Sequence, residues 1–153
     1  IDAAGNPKVI EYNVRFGDPE TQPVMLRLQS DLSELIEAAM EQRLDQVCAE
    51  WDPRSALGVV MAAENYPHSP RLGDVIHGLS ETAPADTQLF HAGTKLEDGQ
   101  VFTAGGRVLC ATALGNTVKD AQTKAYALAG QITWLGEFHR NDIGWRAIAR
   151  MQE

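Results

Sequence analysis

The chain has 153 residues, enough for one sizeable core or for a small domain joined to part of another, and its 44% hydrophobic and 22% charged residues are ordinary for a soluble globular protein. A formal net charge of −8 excludes a nucleic-acid groove or an anionic membrane surface as the main partner, because both need clustered Lys and Arg. No apolar run is long enough to span a bilayer and no signal-peptide pattern is visible, while the two cysteines, Cys48 and Cys110, lack metal-ligand spacing; a cytoplasmic chain with free thiols is expected.

The turn cluster Ala3-Ala4-Gly5-Asn6-Pro7 stands directly before an expected strand over residues 8–13. A hairpin turn needs a strand before it, and only its last residue or two is present, so the chain is expected to have lost its beginning. Glu11, Asn13 and Arg15 fall at alternate positions and therefore point the same way. A carboxylate and an amide oxygen two residues apart are hard ligands suited to Mg²⁺ carrying nucleotide phosphates, and a guanidinium just beyond can clamp phosphate or acyl-phosphate oxygens. The same pattern also suits an edge strand with a solvated polar face. A sharp turn follows at Gly17-Asp18-Pro19.

Thr21 is the expected N-cap of a helix that carries Pro23 in its first turn and runs to about residue 28. A second helix over 31–43, capped by Ser30 or Asp31, places Leu32, Leu35, Ile36, Ala39 and Met40 on one packing stripe. Residues 45–52 are ambiguous between strand and helix tail, and Asp52-Pro53 marks a break. The apolar run 56–63 predicts a buried strand, ending in a loop with Pro67 and Pro70. Strands are expected at 75–79 and 88–95, and Glu97-Asp98-Gly99-Gln100 has hairpin-turn chemistry leading into 101–103. Residues 107–113 read as a strand with Val108, Cys110 and Thr112 on one face and Leu109, Ala111 and Ala113 on the other. Thr117 caps the clearest helix, 118–132, with Ala121, Ala125, Leu128, Ala129 and Ile132 inward. A short extended piece near 133–135 and a helical turn or two at the end complete an α+β class of antiparallel hairpins and packed helices.

Gly105-Gly106-Arg107 offers backbone N–H groups and a guanidinium to a phosphate, although the same residues suit a bulge or tight turn. His91 has no nucleophile or carboxylate beside it in sequence and reads as a strand or cleft-wall residue rather than a general base. His68, His77 and His139 are scattered without the spacing of a helical zinc pair. Trp51, Trp134 and Trp145 read as core or interdomain anchors.

Taken together, Glu11-x-Asn13 and the run Arg15-Phe16-Gly17-Asp18-Pro19-Glu20-Thr21-Gln22 resemble the signature of the glycinamide ribonucleotide synthetase (phosphoribosylamine–glycine ligase) family of the ATP-grasp superfamily. Phe90-His91-Ala92-Gly93-Thr94-Lys95, Gly105-Gly106-Arg107-Val108-Leu109 and Asp142-Ile143-Gly144-Trp145-Arg146-Ala147 resemble segments of the family's C-terminal domain. The resemblance implies that residues 1–43 end an ATP-grasp domain and that residues 44–153 form a β-rich C-terminal α+β domain. It also implies an ATP-dependent carbon–nitrogen ligase of purine biosynthesis that joins glycine to 5-phosphoribosylamine through a glycyl phosphate. Mg²⁺ or Mn²⁺ is expected on Glu11 and Asn13, with ATP as co-substrate and Arg15 on the transferring group; Asp18 and Glu20 are expected to brace the Arg15 loop. Gly105, Gly106 and Arg107 are candidate substrate contacts, and Arg146 reads either as a substrate-phosphate contact or as a structural ion pair. The N-terminal portion of such a ligase would be a missing partner, and the chain alone is expected to be inactive. A non-catalytic β-rich interaction module is the alternative.

The resemblance also leads to Gly-Tyr-Pro-Gly in the loop where this chain has Asn65-Tyr66-Pro67-His68. Asn tolerates a left-handed backbone better than other non-glycine residues, so positive φ is expected at Asn65 and negative φ at His68.

Overall fold

Residue 107 begins the strand around which the rest of the chain packs. The computed structural model describes residues 1–80 and 82–151. β1 (Ser55–Ala62), β2 (Thr87–His91) and β5 (Arg107–Gly115) form an antiparallel sheet in the order β1-β5-β2. As the central strand, β5 has neighbours on both edges and cover on both faces, and everything from Val108 to Gly115 is buried.

One face is closed by α3 (Val118–Ala129), whose Ala121, Ala125, Leu128 and Ala129 pack with Leu57, Val59 and Met61 of β1. Thr117 caps this helix in a full capping box with Asp120. The helix stops at Ala129 rather than at 132, since Gly130 ends it, but Ile132 remains in the core. The opposite face is met by α1 (Thr21–Arg27): a methyl on Gly58 would touch Pro23 Cδ at 3.7 Å and Cys110 Sγ at 2.9 Å. Burial among these groups pushes the Cys110 thiol up.

The expected strand 88–95 is two strands in two sheets. Its second half is β3 (Thr94–Glu97), which pairs with β4 (Gln100–Thr103) in a separate hairpin. The break falls at Ala92-Gly93, where a Cβ on Gly93 would lie 2.5 Å from Gly105 Cα, so two backbones cross in contact there. The Asp98-Gly99 turn has φ of +48° and +78°, the two positive values of the type I′ turn that its sequence predicts. The expected strand 75–79 reduces to single bridges, Val75 to Phe102 and His77 to Thr133, because Gly73 and Gly78 both take left-handed φ. The extended piece near 133–135 is likewise only that one bridge. α4 (Trp145–Arg150) provides the terminal helical turns.

Three expectations near the start are corrected. Residues 8–13 form no strand: with no neighbouring strand to pair with, they are irregular and Ile10, Tyr12 and Val14 are almost wholly exposed. Thr21 does not act as the N-cap of α1, since Glu20 holds that position and the Thr21 hydroxyl instead donates to Gly17 O. α2 (Leu32–Met40) is capped by Asp31, which accepts from Ser33 N at 2.8 Å, but its apolar stripe is not packed: Ile36 and Met40 are 50% and 79% exposed.

An ion network ties the sheet to α3. Arg54 Nη2 lies 2.7 Å from Asp52 Oδ2, Arg54 Nη1 lies 2.8 Å from Asp86 Oδ1, and Lys124 Nζ lies 2.7 Å from Asp86 Oδ2. Hydrogen bonds from Arg54 hold the Asp52 carboxyl down at about 2, below its ordinary 3.8. Lys124 and then Arg54 lower Asp86 in the same direction. A depressed carboxylate pKa stabilises the fold above the ordinary value and loses that contribution as pH falls toward the folded value. The thermal midpoint of the chain should therefore drop between pH 3.8 and about 2, and Asp52→Asn should lower it at neutral pH while flattening that acid limb in a pH series of melts. An unchanged acid limb in the variant would remove Asp52 from the network's role.

Candidate functional site

The face of the sheet not covered by α3 carries a cleft of about 510 Å³ with mostly apolar walls from Val60, Ala62, Tyr66, Phe138 and Ile143. Pro19 closes one end, and Arg107, His139 and Arg140 stand at its edge.

Arg107 reaches this cleft because of a register shift. β1 and β5 pair in step from Ser55↔Gly115 to Met61↔Leu109, and then Ala62 pairs with Arg107 instead of Val108. One extra residue in β5 at that bulge moves everything beyond it to the other face. Without it, the Arg107 side chain would start toward the α3 core. The bulge instead sets it beside Ala62, on the cleft face.

The glycines before Arg107 are required by packing. A Cβ on Gly106 would overlap the Tyr66 ring, and Gly105 lies against Gly93. Tyr66 is held over Gly106 by its loop, where Asn65 has φ +64° as expected and His68 is not among the positive-φ residues. The turn is secured by Ser69 N donating to Asn65 O at 3.2 Å and Arg71 N donating to Glu64 O at 2.9 Å. Ala63 N donates to Gly106 O at 2.9 Å, so the loop and the Gly105-Gly106 crossing are one unit. Among the described residues, neither the Gly105 nor the Gly106 N–H has a recorded acceptor.

On the far wall, His139 Nδ1 bonds Glu137 Oε1 at 2.8 Å, and its ring leans on Tyr126 with centroids 5.8 Å apart. Tyr126 Oη donates to Arg140 O at 2.6 Å and accepts from Ile143 N at 3.1 Å, which fixes the 139–143 segment against α3. Arg140 is engaged by Asp142 through Nε at 2.9 Å and Nη2 at 2.7 Å.

Glu11, Asn13 and Arg15 are exposed on the irregular N-terminal segment. Asn13 Nδ2 donates to Glu11 Oε1 at 3.4 Å, so these two side chains do sit together. As placed, the Asn13 amide presents its nitrogen to the Glu11 carboxylate, so holding an ion on both oxygens requires the amide to turn over. Among the described residues no group of three His, Cys, Asp or Glu is placed to hold a metal. The Gly17-Asp18-Pro19 turn connects this segment to the cleft: Asp18 Oδ2 lies 2.9 Å from Arg107 Nη2. Glu20 braces the turn, accepting from Gly17 N at 3.1 Å, whereas Asp18 turns outward to Arg107. Arg146 lies apart from these groups, its guanidinium carbon 5.3 Å from the Trp145 ring centroid. The sequence analysis missed the cleft walls at Tyr66, Phe138 and His139, for which the aromatic and Pro content of two loops was the only available signal.

Residues 56–146 match the family model described as phosphoribosylglycinamide synthetase, C domain. The chain is 60% identical over 153 residues to a phosphoribosylamine–glycine ligase of Vibrio parahaemolyticus, matching 100% of this chain and 36% of that protein. It is 63% identical over 150 residues to the enzyme of that name from Pseudomonas putida, with coverage of 98% and 35%. The crystal structure of phosphoribosylamine–glycine ligase from Thermotoga maritima superposes with a TM-score of 0.67 at 37% identity, covering 90% of this chain and 34% of that one. The chain thus spans about a third of the length of the curated relatives it matches.

The Gly106–Tyr66 contact can be tested on its own. Gly106→Ala should destabilise the chain by about 1–3 kcal/mol through overpacking, and Tyr66→Ala in the same chain should recover part of that loss in a urea-denaturation double-mutant cycle. Additive effects would show that the two residues do not share the space.

Proposed function

The chain belongs to the phosphoribosylglycinamide synthetase family, and we propose that it supplies part of the machinery for ATP-dependent joining of glycine to 5-phosphoribosylamine in purine biosynthesis. In this reading the glycine carboxylate attacks the γ-phosphate of ATP, giving glycyl phosphate and ADP. The amine of phosphoribosylamine then attacks the glycyl carbonyl carbon, the new C–N bond forms, and phosphate leaves with its bonding electrons.

Glu11 and Asn13 would hold a divalent ion, Mg²⁺ or Mn²⁺, which when bound neutralises charge on the nucleotide phosphates. Arg15, two residues on, offers a planar fork to the transferring group or to the acyl phosphate. Arg107 and the N–H groups of Gly105 and Gly106 would receive the phosphate of the phosphoribosyl substrate, with its pentose toward the cleft. Phosphoryl transfer depends mainly on positioning and charge neutralisation, the two tasks that this reading gives to these residues.

The observation that carries this reading is the Asp18–Arg107 pair, which joins the Glu11–Arg15 segment to the cleft. A non-catalytic binding module has no comparable observation in its favour. In this reading the ion on Glu11 and Asn13 completes its shell with water and nucleotide phosphates, and groups outside these 153 residues take part in catalysis, so that the chain by itself forms no product. We place the activity in the cytoplasm, in keeping with the free thiols of Cys48 and Cys110; among the described residues no helix is long and apolar enough to cross a membrane.

In a ligase of full family length carrying this sequence, Glu11→Gln and Asn13→Ala should each lower turnover by at least roughly tenfold, and thermal midpoints measured alongside separate this effect from misfolding. Arg15→Lys should also fail, since an ammonium cannot reproduce a bidentate fork. Near-normal turnover of Glu11→Gln and Asn13→Ala at saturating Mg²⁺ would overturn the metal assignment.

A further inference from the structure

The Asp18–Arg107 pair is poorly explained as a device for stability. Both side chains are substantially exposed, at 53% and 39%, and exposed ion pairs contribute little to folding. Its geometry is more specific than its strength. Asp18 projects from a turn fixed by Glu20 on Gly17 N at 3.1 Å and by Thr21 N on Gly17 O at 3.0 Å. Gly17 is buried, with the Glu20 carboxyl folded back over it. Arg107 projects from the bulge that sets it on the cleft face.

Two preorganised pieces of backbone therefore meet through one carboxylate and one edge of a guanidinium. A guanidinium has five N–H donors in a rigid plane. Asp18 Oδ2 stands 2.9 Å from Nη2 as an ion pair, and among the described residues the Arg107 side chain makes no hydrogen bond that would claim its N–H groups. A carboxylate beside Nη2 draws that end of the plane toward the Asp18 turn and leaves the other N–H groups available, much as outer-shell groups orient metal-binding histidines.

We propose that Asp18 is a positioning residue that orients the Arg107 guanidinium so that its free edge meets the phosphate monoester of the phosphoribosyl substrate at the cleft. This rests on the reading of Arg107 given above. Asp18 also reduces the local positive charge, so two roles predict opposite results. If it orients Arg107, its loss weakens substrate binding; if it only competes with the substrate phosphate, its loss strengthens binding.

The test uses a ligase of full family length carrying this sequence, with steady-state kinetics in which phosphoribosylamine is the varied substrate. Asp18→Ala should raise its KM roughly ten- to hundredfold while the KM values for ATP and glycine stay near normal. Asp18→Asn keeps the shape and one acceptor oxygen, so its KM should lie between those of the parent and Asp18→Ala, and a matching thermal midpoint separates this effect from misfolding. In an Arg107→Ala background, Asp18→Ala should add nothing. An unchanged or lowered KM in Asp18→Ala, or an undiminished effect in the Arg107→Ala background, overturns the positioning role while leaving the phosphate assignment intact. A normal KM in Arg107→Ala itself overturns that assignment and this inference together.

Discussion

The register of β5 is the constraint on which the other features of the molecule depend. A strand buried on both faces cannot slide, because a slip of one residue would exchange the side chains facing α3 for those facing the cleft. The pairing with β1 holds seven residues of β5 in step and then gives up one at the bulge, which is where the apolar core ends and the polar edge of the cleft begins. The bulge separates the two tasks of one strand. Up to Leu109 the strand packs the core; beyond the bulge it presents a guanidinium.

Around that point the chain brings four separate segments together through close backbone contacts and the ring of Tyr66. Gly93 crosses Gly105, Tyr66 lies over Gly106, Ala63 N bonds Gly106 O, and Ala62 pairs across the bulge with Phe138 as well as with Arg107. Close approach of main chains needs glycine, and it fixes positions more tightly than contact between flexible side chains would. The glycines at 105 and 106 thus have a structural cause that does not depend on any ligand.

Local chemistry was legible where one residue or one short pattern decides the outcome. The Thr117 cap of α3 and the Asp98-Gly99 hairpin turn follow from neighbouring atoms and could be read from the sequence, as could the α2 cap to within Ser30 or Asp31, while the positive φ at Asn65 was expected from the resemblance. What was not legible was decided by distant partners. The run 88–95 splits because Gly105 crosses it, and residues 75–79 fail to form a ladder because both flanking glycines take left-handed conformations. A bulge was one of the readings open at Gly105-Gly106-Arg107, but the alternation of residues 107–113 carries no mark of it, so neither the face that Arg107 takes nor its pairing with Asp18 was legible. The strand that prompted the reading of Glu11 and Asn13 as sharing one face is not formed, and their side chains meet through the Asn13 amide nitrogen.

The acidic balance of the chain and the cations at its cleft are consistent with each other. With a net charge of −8, an unpaired guanidinium would be drawn to whichever carboxylate is nearest, and the cleft edge uses this attraction selectively. Arg140 is held by Asp142 in a two-bond fork that occupies Nε and Nη2, which leaves it poorly placed to serve a ligand. Arg107 has the Asp18 carboxylate 2.9 Å from Nη2 as an ion pair, with no two-bond fork of the kind that holds Arg140. The difference between the two arginines lies in the geometry of their carboxylates rather than in their charge. Asp142 stands two residues from Arg140 on the same segment and folds back on it, whereas Asp18 approaches Arg107 across the cleft from a turn with its own support. A partner fixed from outside leaves a guanidinium oriented but unsaturated, which is the condition an anion site requires.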